Sequence, residues 1–289
     1  MKYIDGINEV INKYDVFILD QWGVIHNGDQ AYKDAVKTVD YLKRNNKKII
    51  IISNSSKRNQ SSLQKLPILG FNLSSIDVLI TSGEMIWKTL SFSRDKYAKN
   101  LNKCFHIFDN SREDGFSYRE GLKDVEFVDN LKESDFILAC TPFNNSKPLD
   151  YIPILKEAYE KNLLMFCANP DFETVQKDNN KNIFCMGTIA ELYQDMGGKV
   201  IIQGKPSIDI YLEATKSLDI TKKSKIVAIG DSLFHDIRGA NNFNIDSILI
   251  TSGIHSESFS KYKPLWNSNI NNLLKFNITP TYISYKFSI

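Results

Sequence analysis

Short apolar runs alternate with longer amphipathic segments along most of this chain, and no other feature restricts its fold as strongly. The run Lys48–Ile52 contains four consecutive isoleucines, which is typical of a strand buried on both faces of a sheet. The segment Ala31–Arg44 places its apolar residues close to the helical period. Strands that alternate with helices form parallel sheets covered by helices. The chain is therefore predicted to have an α/β fold built on a parallel sheet.

The same patterns predict the remaining elements along the chain. The predicted strands are Val16–Leu19, Lys48–Ile52, Val78–Ile80, Phe105–Phe108, Phe136–Ala139, Leu163–Phe166, Val200–Ile202, Ile226–Ile229, Ile248–Ile250 and a late strand, Tyr282–Phe287. The predicted helices are Ala31–Arg44, Ser61–Leu69, Gly83–Leu90, Ile152–Lys161, Thr188–Met196, Ser207–Ser217 and Phe234–Asn241. Ser82 and Ser207 are predicted to cap the helices at which they stand.

Composition excludes several classes of protein. The formal net charge of +2 is too small to indicate a nucleic-acid or membrane partner. The sequence has no run of about 18 uncharged apolar residues, so no membrane-spanning helix is predicted. No apolar leader is visible at the N-terminus and no C-x-x-C pair occurs, which favours buried, reduced thiols in a cytoplasmic protein. A homo-oligomer is left open.

Polar and charged residues follow several of the predicted strands. Asp20 follows the first strand and Ser53 the second, while Lys205 and Asp231 follow two strands near the C-terminus. Because the carboxyl ends of parallel strands meet at one edge of a sheet, these side chains are expected to converge. Carboxylates together with a lysine suit a hard cation such as Mg²⁺ and an anionic substrate.

The spacing of these residues predicts a discontinuous core domain. Asp20 and Ser53 are 33 residues apart, the length of one strand–helix–strand unit, whereas Ser53 and Lys205 are 152 residues apart. A single crossover does not need so many residues, so a domain must be inserted there. We expect a core formed by residues 1–83 and 198–289 and an inserted α/β cap formed by residues 84–197.

Taken as a set, these segments resemble the haloacid dehalogenase (HAD) superfamily, class IIA, over roughly residues 14–255. The matching segments, in the family's order, are Asp20-Gln21-Trp22-Gly23-Val24, Ser53, Cys167-Ala168-Asn169-Pro170-Asp171, Gly204-Lys205-Pro206 and Gly230-Asp231-Ser232 with Asp236. The third of these is similar to a signature near the cap of nucleotide, p-nitrophenyl phosphate and pyridoxal phosphate phosphatases. The resemblance implies a Rossmann-like core with an inserted cap.

The resemblance also implies a reaction and a role for each matching residue. It implies a Mg²⁺-dependent phosphoesterase that acts on a small phosphorylated metabolite through an aspartyl-phosphate intermediate. Asp20 would be the nucleophile, and Lys205 would screen the negative charge beside it. The phosphate group would be bound by Ser53 and by the backbone amides of Asn54 and Ser55. The metal ligands would be Asp20, the carbonyl of Trp22, Asp231 and Asp236.

Trp22 departs from the family pattern, in which this position carries a second aspartate that acts as general acid and base. Indole has no acid–base chemistry near neutral pH, and loss of a general acid–base typically costs roughly 10²–10⁴-fold in rate. A metal ligand would survive, because the family uses the backbone carbonyl at this position. The indole either lines the substrate pocket or fills it, and the sequence does not decide between the two.

Trp22 therefore keeps two further hypotheses open. One is a catalytically weakened HAD-fold protein that binds a phosphorylated ligand as a sensor or scaffold. The other is a dehalogenase-type hydrolase, which the metal-binding pattern around Asp231 disfavours. His26 is a candidate substitute acid, although a loop histidine bonded to the backbone is the favoured interpretation. Glu84 is a candidate for the hinge between core and cap, although a surface residue on its helix is the favoured interpretation.

Overall fold

Two parallel β-sheets with helices packed against them, together with a two-stranded antiparallel hairpin, form the described part of the protein. The computed structural model describes residues 1–92, 94–97, 101–178, 181–218, 220, 222–256 and 277–289 of the 289-residue chain. The strands are β1 (Lys2–Tyr3), β2 (Val16–Leu19), β3 (Lys48–Ser53), β4 (Val78–Thr81), β5 (Lys103–Ile107), β6 (Glu126–Val128), β7 (Phe136–Ala139), β8 (Leu164–Cys167), β9 (Glu173–Asp178), β10 (Lys181–Phe184), β11 (Lys199–Ile202), β12 (Ile226–Gly230), β13 (Asp246–Ile250) and β14 (Tyr282–Ser284). The helices are α1 (Lys33–Arg44), α2 (Asn59–Ile68), α3 (Ser82–Phe92), α4 (Arg94–Tyr97), α5 (Glu113–Tyr118), α6 (Ile152–Glu160), α7 (Met186–Asp195), α8 (Ile208–Thr215) and α9 (Arg238–Phe243).

The larger sheet has seven parallel strands in the order β1-β14-β13-β12-β2-β3-β4. Its central strands are buried on both faces, as their continuous apolar sequences predict. In β3, Ile49 and Ile51 pack into the cluster that contains α1, while Ile50 and Ile52 pack into the cluster that contains α8 and α9. The predicted α/β fold with a parallel sheet is confirmed.

The smaller sheet has five parallel strands in the order β11-β8-β7-β5-β6. Between β8 and α7, the chain forms an antiparallel hairpin of β9 and β10. The sheet has its own apolar clusters, one of which combines residues of β7 and β8 with α6 and α7. Nearly all of this second unit lies inside the stretch that the sequence predicts to be an insertion.

The structure corrects the predicted place of β11. The sequence assigns residues 198–289 to the core, but β11 pairs with β8 of the smaller sheet, with Val200 opposite Met165. Val200 and Ile202 pack into the apolar cluster of that sheet, so burial holds the strand there. A short apolar run does not specify its partner strand, which is why the sequence misplaces it. We retain the division into core and cap as a proposal, with its second boundary moved beyond Ile202.

Other differences concern the ends of elements. Ser207 accepts a hydrogen bond from the amide of Asp209 and caps α8 as predicted. At α3, however, the amide of Glu84 donates to the hydroxyl of Thr81, and the Ser82 hydroxyl has no partner among the described residues. Thr81 is therefore the cap. The predicted helix at 234–241 is a π-helical turn, Leu233–Ile237, followed by α9.

The remaining predictions from the sequence have simple outcomes. The late strand exists as β14, which lies between β1 and β13 and ends at Ser284. The polar stretch that begins near Ser256 lies outside the described residues from 257 to 276. All four cysteines are buried free thiols. Among the helices that the structure describes, none has both the length and the apolar character needed to cross a bilayer.

Candidate active site

Three carboxylates meet at the carboxyl edge of the larger sheet. Asp20 follows β2, Asp231 follows the neighbouring strand β12, and Asp236 lies in the π-helical turn after it. One oxygen from each carboxylate lies within 4.8 Å of the others, and all three residues are buried. The topology produces this cluster, because adjacent parallel strands end at the same edge.

Lys205 reaches the cluster from the loop after β11. Its buried ammonium donates to Asp20 Oδ1 at 2.6 Å and to Asp236 Oδ1 at 2.7 Å. The loop thus brings a cation from the smaller sheet to the edge of the larger one. The sequence predicts this meeting correctly, although it assigns the preceding strand to the wrong sheet.

The charges of the cluster do not balance. Burial, opposed by Lys205 and reinforced by the charge of Asp236, raises the pKa of Asp20 to about 7. Burial and the charge of Asp20 raise the pKa of Asp231 well above its usual range. Burial lowers the pKa of Lys205, but Asp20 and Asp236 outweigh it and hold that pKa well above its ordinary value. Three carboxylates and one ammonium leave a formal charge of −2 when all are ionised, which matches a divalent cation.

Two glycines in the loop after β2 lie very close to neighbouring side chains. Gly23 has a φ of +80°, and a Cβ placed there would lie 1.8 Å from Asp231 Oδ2. Only glycine fits both this backbone conformation and this contact. Gly28 has a φ of +100°, and a Cβ placed at this position would lie 2.4 Å from the Trp22 ring. The two glycines allow the loop to wrap around Asp231 and around the indole.

Trp22 forms part of a cavity wall. Its half-buried indole lies edge-on to His26, with 5.3 Å between ring centroids. The cavity has a volume of about 950 Å³ and is also lined by Asp20, Lys205 and Asp231. Trp22 therefore belongs to the wall of a cavity large enough for a small ligand, and the effect of its indole on substrate binding remains a prediction.

The second-motif residues have different environments from one another. Ser53 is buried and accepts a hydrogen bond from the amide of Ser55 at 3.2 Å. The Asn54 side chain accepts from the Lys205 amide at 2.8 Å and donates to the Lys205 carbonyl at 3.1 Å. The Asn54 amide also donates to Asp171 at 2.8 Å. Ser55 lines the cavity, and phosphate binding by these three residues remains a prediction.

Histidines near the site have structural partners. His26 Nδ1 accepts a hydrogen bond from the amide of Gly28 at 3.0 Å, and burial lowers its pKa to about 4. The favoured interpretation of a loop histidine bonded to the backbone is confirmed, and a neutral ring with this pKa is a poor acid. His235 Nδ1 lies 3.3 Å from Asp171 Oδ1, and His255 Nε2 accepts from the amide of Leu233.

Sequence reasoning missed two features around the site. The hairpin β9–β10 contributes Thr174, Val175 and Ile183 to the cavity wall, and its weak alternation of apolar residues gave no clear strand signal. Glu84 is buried rather than exposed, and it accepts from the Arg58 guanidinium at 2.7 Å. A glutamate in a first helical turn is common on protein surfaces, so this pairing had no signal in the sequence.

Comparison with known proteins points to one family. Residues 17–112 match a family model described as haloacid dehalogenase-like hydrolase, and residues 202–282 match a second, HAD-hydrolase-like model. Among curated proteins, chloroplastic phosphoglycolate phosphatase 1A of Arabidopsis thaliana is 23% identical over 267 residues, covering 88% of this chain and 73% of that protein. The 4-nitrophenylphosphatase of Schizosaccharomyces pombe is 25% identical over 265 residues, covering 86% of this chain and 87% of that protein.

Solved structures share the fold over almost the whole chain. A haloacid dehalogenase-like hydrolase from Brucella suis superposes with a TM-score of 0.81 at 25% identity, covering 98% of this chain and 99% of that one. The p-nitrophenyl phosphatase from Archaeoglobus fulgidus has a TM-score of 0.66 at 20% identity, covering 95% and 97% of the two chains. The arrangement of sheets described above is therefore one that known hydrolases share.

Proposed function

The chain belongs to the haloacid dehalogenase superfamily of hydrolases, and we propose that it is a Mg²⁺-dependent phosphatase that acts on a small phosphorylated metabolite through an aspartyl-phosphate intermediate. The observation that carries this proposal is the buried cluster of Asp20, Asp231 and Asp236 with the Lys205 ammonium 2.6 Å from Asp20. The names of the similar proteins, a phosphoglycolate phosphatase and a 4-nitrophenylphosphatase, support a phosphorylated small molecule as the substrate.

Asp20 is the nucleophile in this mechanism. Its carboxylate oxygen forms a bond to phosphorus, and the bond from phosphorus to the leaving-group oxygen breaks, with the electron pair leaving on that oxygen. Water then attacks phosphorus, and the bond to Asp20 breaks to release inorganic phosphate. Covalent catalysis of this kind divides one difficult displacement into two easier ones.

Lys205 and the loop after β3 bind the charge of the phosphoryl group. The Lys205 ammonium already contacts Asp20, so it lies where negative charge accumulates as the carboxylate approaches the phosphate. The Ser53 hydroxyl and the backbone amides of Asn54 and Ser55 are proposed to donate to phosphoryl oxygens. The Ser55 amide donates to the Ser53 hydroxyl at 3.2 Å, so it exchanges this bond for one to a phosphoryl oxygen when the substrate binds.

The three carboxylates fit a divalent metal ion. Hard oxygen donors and a formal charge of −2 suit Mg²⁺, and the clustered oxygens lie within 4.8 Å of one another. Asp20, Asp231 and the Trp22 carbonyl are the proposed ligands, with Asp236 in or near the coordination shell. When bound, the metal supplies positive charge that offsets repulsion between the nucleophile and the phosphate.

Hydrolysis of 4-nitrophenyl phosphate, with and without Mg²⁺, tests this function. We expect Mg²⁺-dependent turnover, and we expect Asp20→Asn to lose at least about 10³-fold in kcat because an amide is a far poorer nucleophile. Asp40→Asn, an exposed change of the same kind on α1, is the control and should match the wild type. Activity that survives in Asp20→Asn would exclude the aspartyl-phosphate mechanism.

Trp22 favours a second candidate, a protein that binds a phosphorylated ligand without turning it over. Trp22 lines the same cavity as Asp20, and its indole offers no proton to a leaving group. The absence of turnover for aryl, acyl and alkyl phosphates in folded, Mg²⁺-loaded protein would support this candidate. Carbon–halogen hydrolysis is disfavoured, because the clustered carboxylates suit a metal.

A further inference from the structure

Asn54 holds the backbone of Lys205 on both sides. Its side-chain oxygen accepts from the Lys205 amide at 2.8 Å, and its side-chain nitrogen donates to the Lys205 carbonyl at 3.1 Å. Asn54 is almost completely buried, so water does not compete for these bonds. Gly204 makes the approach possible, because a Cβ at that position would lie 2.6 Å from Asn54 Oδ1. The carboxamide therefore fixes the segment that carries the lysine.

The same carboxamide contacts the cap. Asn54 Nδ2 also donates to Asp171 Oδ1 at 2.8 Å, and Asp171 belongs to the loop that follows β8 of the smaller sheet. That loop is anchored within its own unit, since the Asp171 carbonyl accepts from the amide of Gly187 at 3.0 Å. A Cβ on Gly187 would lie 2.1 Å from the Pro170 carbonyl oxygen, so the helix α7 packs closely against the loop.

We propose that Asn54 and Asp171 are positioning residues that make the placement of Lys205 depend on the seated cap loop. Asp171 holds the Asn54 carboxamide in the orientation that binds the Lys205 backbone, and Asn54 in turn aims the ammonium at Asp20 and Asp236. The inference rests on the function proposed above. It assigns Asp171 a role as a hydrogen-bond acceptor rather than as a donor of protons to the leaving group.

Two further interactions of Asp171 support this positioning role. Asp171 contacts the larger sheet at two points, since its Oδ1 also lies 3.3 Å from His235 Nδ1. Its negative charge contributes, after those of Asp20 and Asp236, to raising the pKa of Lys205. A cap loop that moves away would remove an acceptor from Asn54 and a negative charge from the surroundings of the lysine. The Asn54 carboxamide therefore couples the position of Lys205 to the position of the cap loop.

A double-mutant cycle on kcat for 4-nitrophenyl phosphate tests the link. Asp171→Ala should lower kcat by about tenfold or more, given that full loss of one charge-stabilising donor costs about 10²–10³-fold. Asp171→Asn should restore kcat to within about threefold of the wild type, because an amide oxygen still accepts from Asn54. Asn54→Ala should lower kcat at least as much as Asp171→Ala. Adding Asp171→Ala to Asn54→Ala should cause less than a twofold further loss, because residues that act through one link are not additive.

Binding of beryllium trifluoride with Mg²⁺, an analogue of phosphorylated Asp20, gives a readout that needs no turnover. Its affinity, followed by fluorine NMR, should fall in Asp171→Ala and recover in Asp171→Asn. Asp195→Ala, an exposed change on α7, is the control and should behave as the wild type in both assays. Thermal melts check folding, and Asn54→Ser, which keeps a hydroxyl acceptor, replaces Asn54→Ala if that variant does not fold.

The results distinguish a failure of the Asn54–Asp171 positioning role from a failure of the proposed phosphatase function. Multiplicative losses in the double variant, or a loss in Asp171→Asn as large as in Asp171→Ala, would overturn the positioning role and point to a proton-transfer or substrate-contact role for Asp171. A wild type that binds the fluoride analogue but hydrolyses no phosphate ester would overturn the phosphatase, while the affinity series still tests the link.

Discussion

Trp22 departs from the family pattern at a position that carries aspartate in the related phosphatases, and we expect it to restrict which leaving groups the proposed phosphatase can release. Trp22 helps to line a cavity of about 950 Å³, and its indole offers no proton to a leaving group. Leaving groups that need little protonation, such as aryl or acyl phosphates, are expected to react much faster than alkyl phosphates. The missing carboxylate at position 22 is therefore expected to determine the relative rates of these substrates.

Restoring a carboxylate at this position should broaden the activity. We expect Trp22→Asp to raise the turnover of an alkyl phosphate by up to roughly 10²-fold, since it supplies a general acid and base. Steady-state rates with matched alkyl and aryl phosphates measure the effect. Trp22→Asn opens the same space without a proton, so equal gains in both variants would show that cavity size rather than acid–base chemistry is responsible.

His26 should make stability depend on pH. Its pKa is lowered from 6.5 to about 4 in the folded protein, first by burial and then by the charge of Lys65. Between these two pKa values, His26 is protonated in the unfolded chain but not in the folded protein. The free energy of unfolding therefore falls as the pH decreases from 6.5 towards 4. Between pH 7 and pH 5 the loss should be about 2 kcal/mol.

The variant His26→Asn isolates this contribution. An asparagine oxygen can still accept from the Gly28 amide but does not titrate. Urea unfolding at pH 7 and pH 5 should therefore show a smaller difference for His26→Asn than for the wild type, by about 2 kcal/mol. The same difference in both proteins would show that His26 is protonated without penalty.

At the scale of elements, the start of α3 provides a direct test of the capping geometry. Thr81→Val removes the acceptor for the Glu84 amide and the donor to the Lys57 carbonyl, and should lower the free energy of unfolding by about 1–2 kcal/mol. Ser82→Ala removes a buried hydroxyl that has no partner among the described residues and should leave stability nearly unchanged. Urea unfolding of the two variants measures both values, and a larger cost for Ser82→Ala would restore the cap that the sequence predicts.

Strands that are buried on both faces could be predicted from the sequence almost to the residue. Val16–Leu19 and Phe136–Ala139 have the predicted bounds, because continuous β-branched and aromatic runs have few alternatives to a central strand. The hairpin β9–β10 and the short edge strand β6 were missed, since polar residues interrupt them. The partner of β11 could not be predicted, because pairing depends on contacts with residues far away in the chain.

The candidate site could be predicted for a different reason. Residues at the carboxyl ends of adjacent parallel strands lie close together, so the proximity of Asp20 and Asp231 followed from the order of strands. The contacts of Asn54 and Asp171 could not be predicted, because they join two sheets across 117 residues of chain. Such contacts depend on how the two units pack, which the local pattern does not encode.

For the whole molecule, metal binding and folding stability should be linked. Burial and the neighbouring charge of Asp20 raise the pKa of Asp231, so we expect Asp231→Asn to melt at a higher temperature than the wild type without metal. Mg²⁺ should stabilise the wild type by about 2.7 kcal/mol at a hundred times its dissociation constant, and Asp231→Asn should lose most of this gain.

Thermal melts and titration calorimetry with Mg²⁺ measure both effects. Asp40→Asn should behave as the wild type, since Asp40 is exposed on α1. An unchanged Mg²⁺ affinity in Asp231→Asn would remove that residue from the ligand set, whatever the activity of the variant.

The pairing of β11 with β8 restricts where the junction of a cap-exchange chimera can be placed. A chimera with its junction at residue 198 would separate the donated sheet from its border strand. The backbone groups of β8 that bond to β11 would then lie open to pairing with other chains, a known route to self-association. Only Gln203 and Gly204 separate β11 from Lys205. A transplanted cap must therefore end within those two residues, so that the donor keeps its strand and the recipient keeps its lysine.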